Sequence, residues 1–170
     1  GGGMYCRNGN LLLDNCVFNA NEGQGLFIQD GSGTFVDCLF EENVAYENGG
    51  GIEAKNSNLT IANSTFRSNY AHDDGGAMHL HDGSTVEAIE CNFLDNIAFF
   101  GGGISSGSGS IATLTQTTVQ DNLALQGGGI FIYASATMFF GENIICNNDP
   151  NQVHGNYEDL GGNCIDLVCT

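Results

Sequence analysis

Two landmarks recur in tandem along this chain, and no compact globular fold accommodates both. The first is a small-residue motif: GGGM (1–4), GQGL (23–26), GGGI (49–52), GGAM (75–78), GGGI (101–104) and GGGI (127–130). Its spacing is 22 residues once and then 26 residues four times. The second follows each start by 17 or 18 residues: FNAN (18–21), FEEN (40–43), FRSN (66–69), FLDN (93–96), VQDN (119–122) and IICN (144–147). In four units the Asn is followed by x-Ala, at Ala45, Ala71, Ala98 and Ala124. A fixed period of this length marks a solenoid.

Leucine-rich repeats are excluded, since neither the L-x-x-L-x-L pattern nor a helical segment is visible. Apolar residues instead alternate at period 2 over short stretches, the signature of strands. Met4 and Cys6, Leu26 and Ile28, Ile52 and Ala54, Met78 and Leu80, Ile130 and Ile132 should point inward. Tyr5, Phe27, Glu53, His79, Ser105 and Phe131 should point outward between them. A second strand carries Leu59 and Ile61 or Val86 and Ala88, and a third carries Phe66 or Phe93. Three short strands per turn, with Gly, Asn and Asp at the corners, describe an all-β parallel β-helix of about six to seven coils. Residues 1–148 form six repeats, and 149–170, which hold the only Pro, form an irregular final coil or cap.

Like residues then stack on like at the strand spacing of about 4.8 Å. Phe18, Phe40, Phe66 and Phe93 form an internal aromatic stack that narrows to Val119 and Ile144. Asn21, Asn43, Asn69, Asn96, Asn122 and Asn147 form an amide ladder at one corner. Asn also tolerates the left-handed backbone that a sharp corner requires.

GG[AG]-[ILM] paired with FxxN-x-A resembles the repeat of the chlamydial polymorphic outer-membrane proteins and related bacterial surface proteins, over about residues 1–148. The resemblance implies a right-handed β-helix exported to a cell surface as an adhesin-like passenger. VQDN and IICN depart from it by losing the Phe, and no C-terminal β-barrel translocator is present in this sequence. A non-enzymatic, extracellular structural or adhesive module of a cell-surface or filament protein is therefore expected. The alternative is a carbohydrate-binding or polysaccharide-degrading β-helix using the outward column of Tyr5, Phe27 and Phe131.

Charge narrows the partners. Three Lys and Arg face 20 Asp and Glu, a net charge of −17. Nucleic acid and anionic membrane surfaces both require a basic footprint, so neither is expected to bind. Six or seven coils give a rod of only about 30 Å. Gly1 already starts a repeat, so further β-helix chain or like molecules stacked end to end are the expected partners, with surface glycans as a second class.

Candidate chemistry is sparse. Asp73–Asp74 resembles the paired acids of polygalacturonases, but the pair lies in a corner leading into a glycine motif, and no basic partner follows on the same face. His79 and His81 alternate onto one outward face, the i, i+2 geometry that can share a metal on a strand. Solvated side chains are the simpler reading of both. Asp95 falls over Asp121 on successive coils, a like-charge pair that a hard cation such as calcium would relieve. Glu41 and Arg67 should form an exposed ion pair on adjacent coils. Cys16, Cys38 and Cys91 should face inward as small hydrophobes. Cys146, Cys164 and Cys169 lie near one another and suggest a tail disulfide, which suits an oxidising compartment. Asn58 and Asn63 begin N-x-[ST] sequons and are candidate glycosylation sites.

Overall fold

A computed structural model describes residues 1–169. Three seven-stranded parallel sheets run the length of the molecule, and every strand pairs with the equivalent strand of the next coil. The first coil contributes Met4–Arg7, Asn10–Asp14 and Val17–Asn19 to the first, second and third sheets. Among the described residues there is no helix. The chain is a β-solenoid of about six 26-residue turns.

Most corners are made by one left-handed residue per coil. Asn8, Asp30, Asn56 and Asp82 turn the chain from the first sheet to the second, with φ between 45° and 55°. Asn15, Asp37, Asn63, Glu90, Gln116 and Glu142 do so from the second to the third, with φ between 49° and 57°. Ala20, Glu42, Ser68, Asp95, Asp121 and Asn147 follow the third sheet, with φ between 52° and 57°. Only Gly, Asn and Asp enter this region cheaply, which accounts for much of the Asn and Asp content. The return corner uses Gly49, Gly75, Gly101 and Gly127, with φ between 62° and 64°. The next glycine in each motif has a different reason: a Cβ at Gly76 would lie 2.6 Å from the Ile97 carbonyl oxygen.

The interior is a set of columns. Phe18, Phe40, Phe66 and Phe93 stack with centroids 4.7–4.8 Å apart and ring planes within 4° of parallel. Aromatic pairs left to themselves prefer an offset or an edge; here the strand spacing dictates the sandwich. The column continues through Val119 and Ile145 to Ile165. The sixth unit is therefore displaced by one residue from the sequence expectation. Ile144 lies outside, 47% exposed, while Ile145 is fully buried.

The amide ladder shifts with it. Asn148, not Asn147, follows Asn122, and Gln152 closes the series. In every rung the Oδ1 of one Asn accepts from the backbone N–H and the Nδ2 of the Asn one coil earlier. Asn69 Oδ1 accepts from Asn43 N at 3.1 Å and Asn43 Nδ2 at 2.9 Å. Asn69 Nδ2 donates to Phe40 O at 2.9 Å and to Asn96 Oδ1 at 3.0 Å. Asn147 is an exposed left-handed corner residue whose Oδ1 accepts from Cys169 N.

Two further ladders occupy the other corners. Cys38 N donates to Ser64 Oγ, Cys91 N to Thr117 Oγ1, and Thr117 N to Asn143 Oδ1. Ser57 and Ser84 repeat the arrangement between the first and second sheets. Cys38 and Cys91 thus occupy polar-ladder positions, and their thiols donate to carbonyls of their own and the preceding coil. Burial pushes the Cys91 thiol up to about 11, so it stays protonated and unreactive.

Residues 153–166 add one more strand to each sheet, with a register shift after Phe140. A disulfide joins Cys146 to Cys169, with Cα atoms 5.4 Å apart, and leaves Cys164 free and exposed.

Candidate functional site

The outer face of the first sheet carries the densest polar chemistry. Its outward column runs Tyr5, Phe27, Glu53, His79, Ser105, Phe131 and His154 in strict register. Alternation places these side chains outside the barrel, yet Glu53, His79, Ser105 and Phe131 are all buried. The return corner covers them. Asp74 and Phe100, the residues before Gly75 and Gly101, lean back over the sheet. Ser105 Oγ donates to Asp74 Oδ1 at 2.9 Å, and Tyr133 OH donates to the same oxygen at 3.1 Å. The Phe100 ring lies 4.9 Å from Phe131 and 6.5 Å from Tyr133.

A cavity of about 250 Å³ opens here, lined by Asp74, His79, His81, Gly107, Ser108, Tyr133 and Ser135. His79 is 6% exposed and its Nδ1 has no hydrogen-bond partner. That corrects the expectation of two solvated histidines. Burial, assisted by the neighbouring His81, lowers the His79 pKa to about 4, so the ring is neutral at ordinary pH. His81 stacks on it at 5.0 Å and meets Glu53 Oε1 through Nε2 at 3.1 Å. The other Glu53 oxygen accepts from Gln24 at 2.7 Å. Burial raises the Asp74 pKa from its ordinary value, against the hydrogen bonds from Ser105 and Tyr133 that favour the ionised form. Tyr133 is pushed up to about 12, by desolvation first and the Asp74 charge second.

A second cavity of about 320 Å³ adjoins it across Tyr133, walled by Phe131, His154 and Asn156. A larger concavity, about 470 Å³, lies over the second sheet among Ser32, Thr34, Asn58, Thr60 and Thr85. It holds no buried ionisable group and no aromatic ring, so recognition chemistry is concentrated on the first sheet.

The other sequence candidates are scattered. Asp95 and Asp121 are exposed corner residues, and Asp121 accepts from the Gln120 amide at 2.7 Å. Their left-handed backbone explains the acids without a cation. Among the described residues no three His, Cys, Asp or Glu side chains converge as metal ligands do. His79 and His81 share the cleft, and neither Asp95 nor Asp121 lines it. Glu41 Oε1 accepts from Arg67 Nε at 2.8 Å in the expected exposed ion pair. Asn58 and Asn63 are both exposed, and Asn58 Oδ1 accepts from Thr85 Oγ1 at 2.7 Å. Tyr5 and Phe27 pair at 5.1 Å but stand apart from Phe131, with Glu53, His79 and Ser105 between them.

The family model described as the right-handed beta helix region matches residues 2–169. The chain belongs to the right-handed β-helix family. No curated protein and no solved structure matches it. The β-helix family includes polysaccharide-degrading enzymes as well as proteins without catalysis, so membership fixes the scaffold, and function has to be read from the site.

Proposed function

We propose that this β-helix is a non-enzymatic, extracellular adhesive module that holds a glycan in the cleft of the first sheet. The observation that carries the reading is the cleft itself. The half-buried Asp74 carboxylate, the buried His79 with its unpartnered Nδ1 and the Tyr133 ring line one cavity, and Phe131 walls the hollow on the other side of Tyr133. Sugars need both an aromatic face to lie against and a few fixed polar groups to orient their hydroxyls. Strands held by three side-chain ladders supply such groups at little cost in ordering. The repeat's resemblance to chlamydial surface proteins supports display at a cell surface, and the Cys146–Cys169 disulfide suits an oxidising compartment.

A polysaccharide-cleaving reading draws on one observation, a carboxyl in the cleft whose pKa burial raises, the direction a general acid needs. Hydrolysis of a glycosidic bond uses a second carboxyl as base or nucleophile. The adjoining Asp73 is exposed and paired with His72 at 2.8 Å, and Glu53 has both oxygens occupied by His81 and Gln24. A panel of neutral, amino and acidic polysaccharides, assayed for retention and for new reducing ends, separates the two. Retention without new reducing ends supports the adhesive module. Reducing-end release that Asp74→Asn abolishes would replace it with an enzyme.

A further inference from the structure

The two cavities flanking Tyr133 differ in chemistry, and the difference specifies a ligand. On one side stand Asp74, His79 and His81; on the other, Phe131 and His154, whose rings stack at 4.9 Å and within 2° of parallel. Tyr133 lines both cavities. The strands beneath run in register from coil to coil, so the two hollows follow one another along the solenoid axis.

The charges favour a cation in the first hollow. Every Lys and Arg of the protein is already engaged by a carboxylate, and His81, the other histidine of the first hollow, is held by Glu53 at 3.1 Å and Asp82 at 3.6 Å. Arg7 lies 3.7 Å from Asp30, Lys55 lies 3.4 Å from Asp82, and Arg67 holds Glu41. His79 remains neutral. A uronic acid would therefore bring its carboxylate to Asp74 with no Lys or Arg in the first hollow to meet it, and like charges in a partly desolvated site repel. An ammonium group fits instead: it can bond the Asp74 carboxylate and lie against the Tyr133 ring. The Asp74 carboxylate has room for another donor, because Oδ2 receives only a long 3.3 Å contact from Tyr133. His79 is the independent sign that a ligand belongs here, being nine-tenths buried, on the cavity wall, with Nδ1 unpartnered.

We infer that the two hollows are consecutive subsites of one groove for an amino-sugar oligosaccharide, its ammonium at Asp74 and the adjoining ring across Tyr133 against Phe131. The inference rests on the glycan-binding reading above and names its ligand class.

Titration calorimetry at pH 6 and low salt, with glucosamine, its dimer and tetramer, the fully N-acetylated tetramer and a galacturonan tetramer, tests it. The dimer should bind at least tenfold tighter than the monomer. N-acetylation should weaken the tetramer at least tenfold, and the galacturonan should be rejected. Asp74→Asn should erase the preference for free amine over N-acetyl, and Tyr133→Phe should reduce it while keeping the ring. Circular dichroism of each variant confirms the fold. Monomer and dimer binding alike, or N-acetylated or galacturonan oligomers binding as tightly as the amine, overturns this inference and leaves glycan adhesion standing. Failure of every glycan class to bind overturns both.

Discussion

Replacing Asn69 with Leu removes one rung from the middle of the buried amide ladder. Four bonds go with it: two accepted from Asn43 and two donated, to Phe40 O and Asn96 Oδ1. Asn69 is 1% exposed and Asn43 and Asn96 are fully buried, so water cannot replace the lost partners. An orphaned buried polar group costs about 1–3 kcal/mol. Neighbouring amides relax in part, so the four together should cost about 4 kcal/mol, a large share of the roughly 5–15 kcal/mol that holds a domain folded. Asn147→Leu is the matched control, since the sequence motif marks both residues alike. Asn147 is an exposed corner residue, and Leu there loses the tolerance of Asn for left-handed backbone and one exposed bond from Cys169 N, together about 1–2 kcal/mol. Urea unfolding followed by circular dichroism should show a midpoint for Asn69→Leu far below that of Asn147→Leu, with similar slopes. Equal midpoints would mean that the ladder contributes nothing beyond its corner geometry.

Three further outcomes follow from the same geometry. Gly76→Ala should destabilise by about 3 kcal/mol because its Cβ would press on the backbone of the next coil, whereas Gly83→Ala meets no atom within 4 Å and should lose only about 1 kcal/mol to its left-handed backbone; thermal melts compare the two. The His79 pKa is depressed from 6.5 to about 4, so between these values the unfolded chain binds a proton that the fold refuses. Stability should then fall as pH drops from 6.5 to 4, by about 3 kcal/mol from this group, and His79→Gln should flatten that slope in unfolding measured across the range. If calcium bridges Asp95 and Asp121, melting in calcium exceeds melting in chelator at matched ionic strength, and Asp95→Asn stabilises the chelated protein; no difference removes calcium.

The barrel could be read from the sequence because a parallel solenoid repeats one environment in every coil. Inward Phe and Asn columns, glycine corners and the Glu41–Arg67 pair all follow from a common register. The register failed where the repeat offered two answers. In the sixth unit the Phe is gone, and adjacent Ile144–Ile145 and Asn147–Asn148 satisfy the pattern in either frame. Burial decides for Ile145 and Asn148. The cleft was hidden for a different reason. Alternation assigns His79, Ser105 and Phe131 to the outside of the barrel but carries no information about what lies over them. Asp74 and Phe100 sit in a corner, and only the left-handed glycine after each turns it back across the sheet. The signal available was Phe131, an aromatic residue on the outward column, and Phe100, a second aromatic just before a glycine motif.

Where a bound glycan sits is the most direct test of the proposal. Amide and side-chain chemical shifts of isotope-labelled protein, followed during titration with the tightest-binding oligosaccharide, give the location residue by residue. The account predicts changes centred on Asp74, His79, His81, Gly107 and Tyr133, with the aromatic signals of Tyr133 and Phe131 moving most. Changes confined to the second sheet around Asn58 and Thr60, or no changes at saturating glycan, would contradict it.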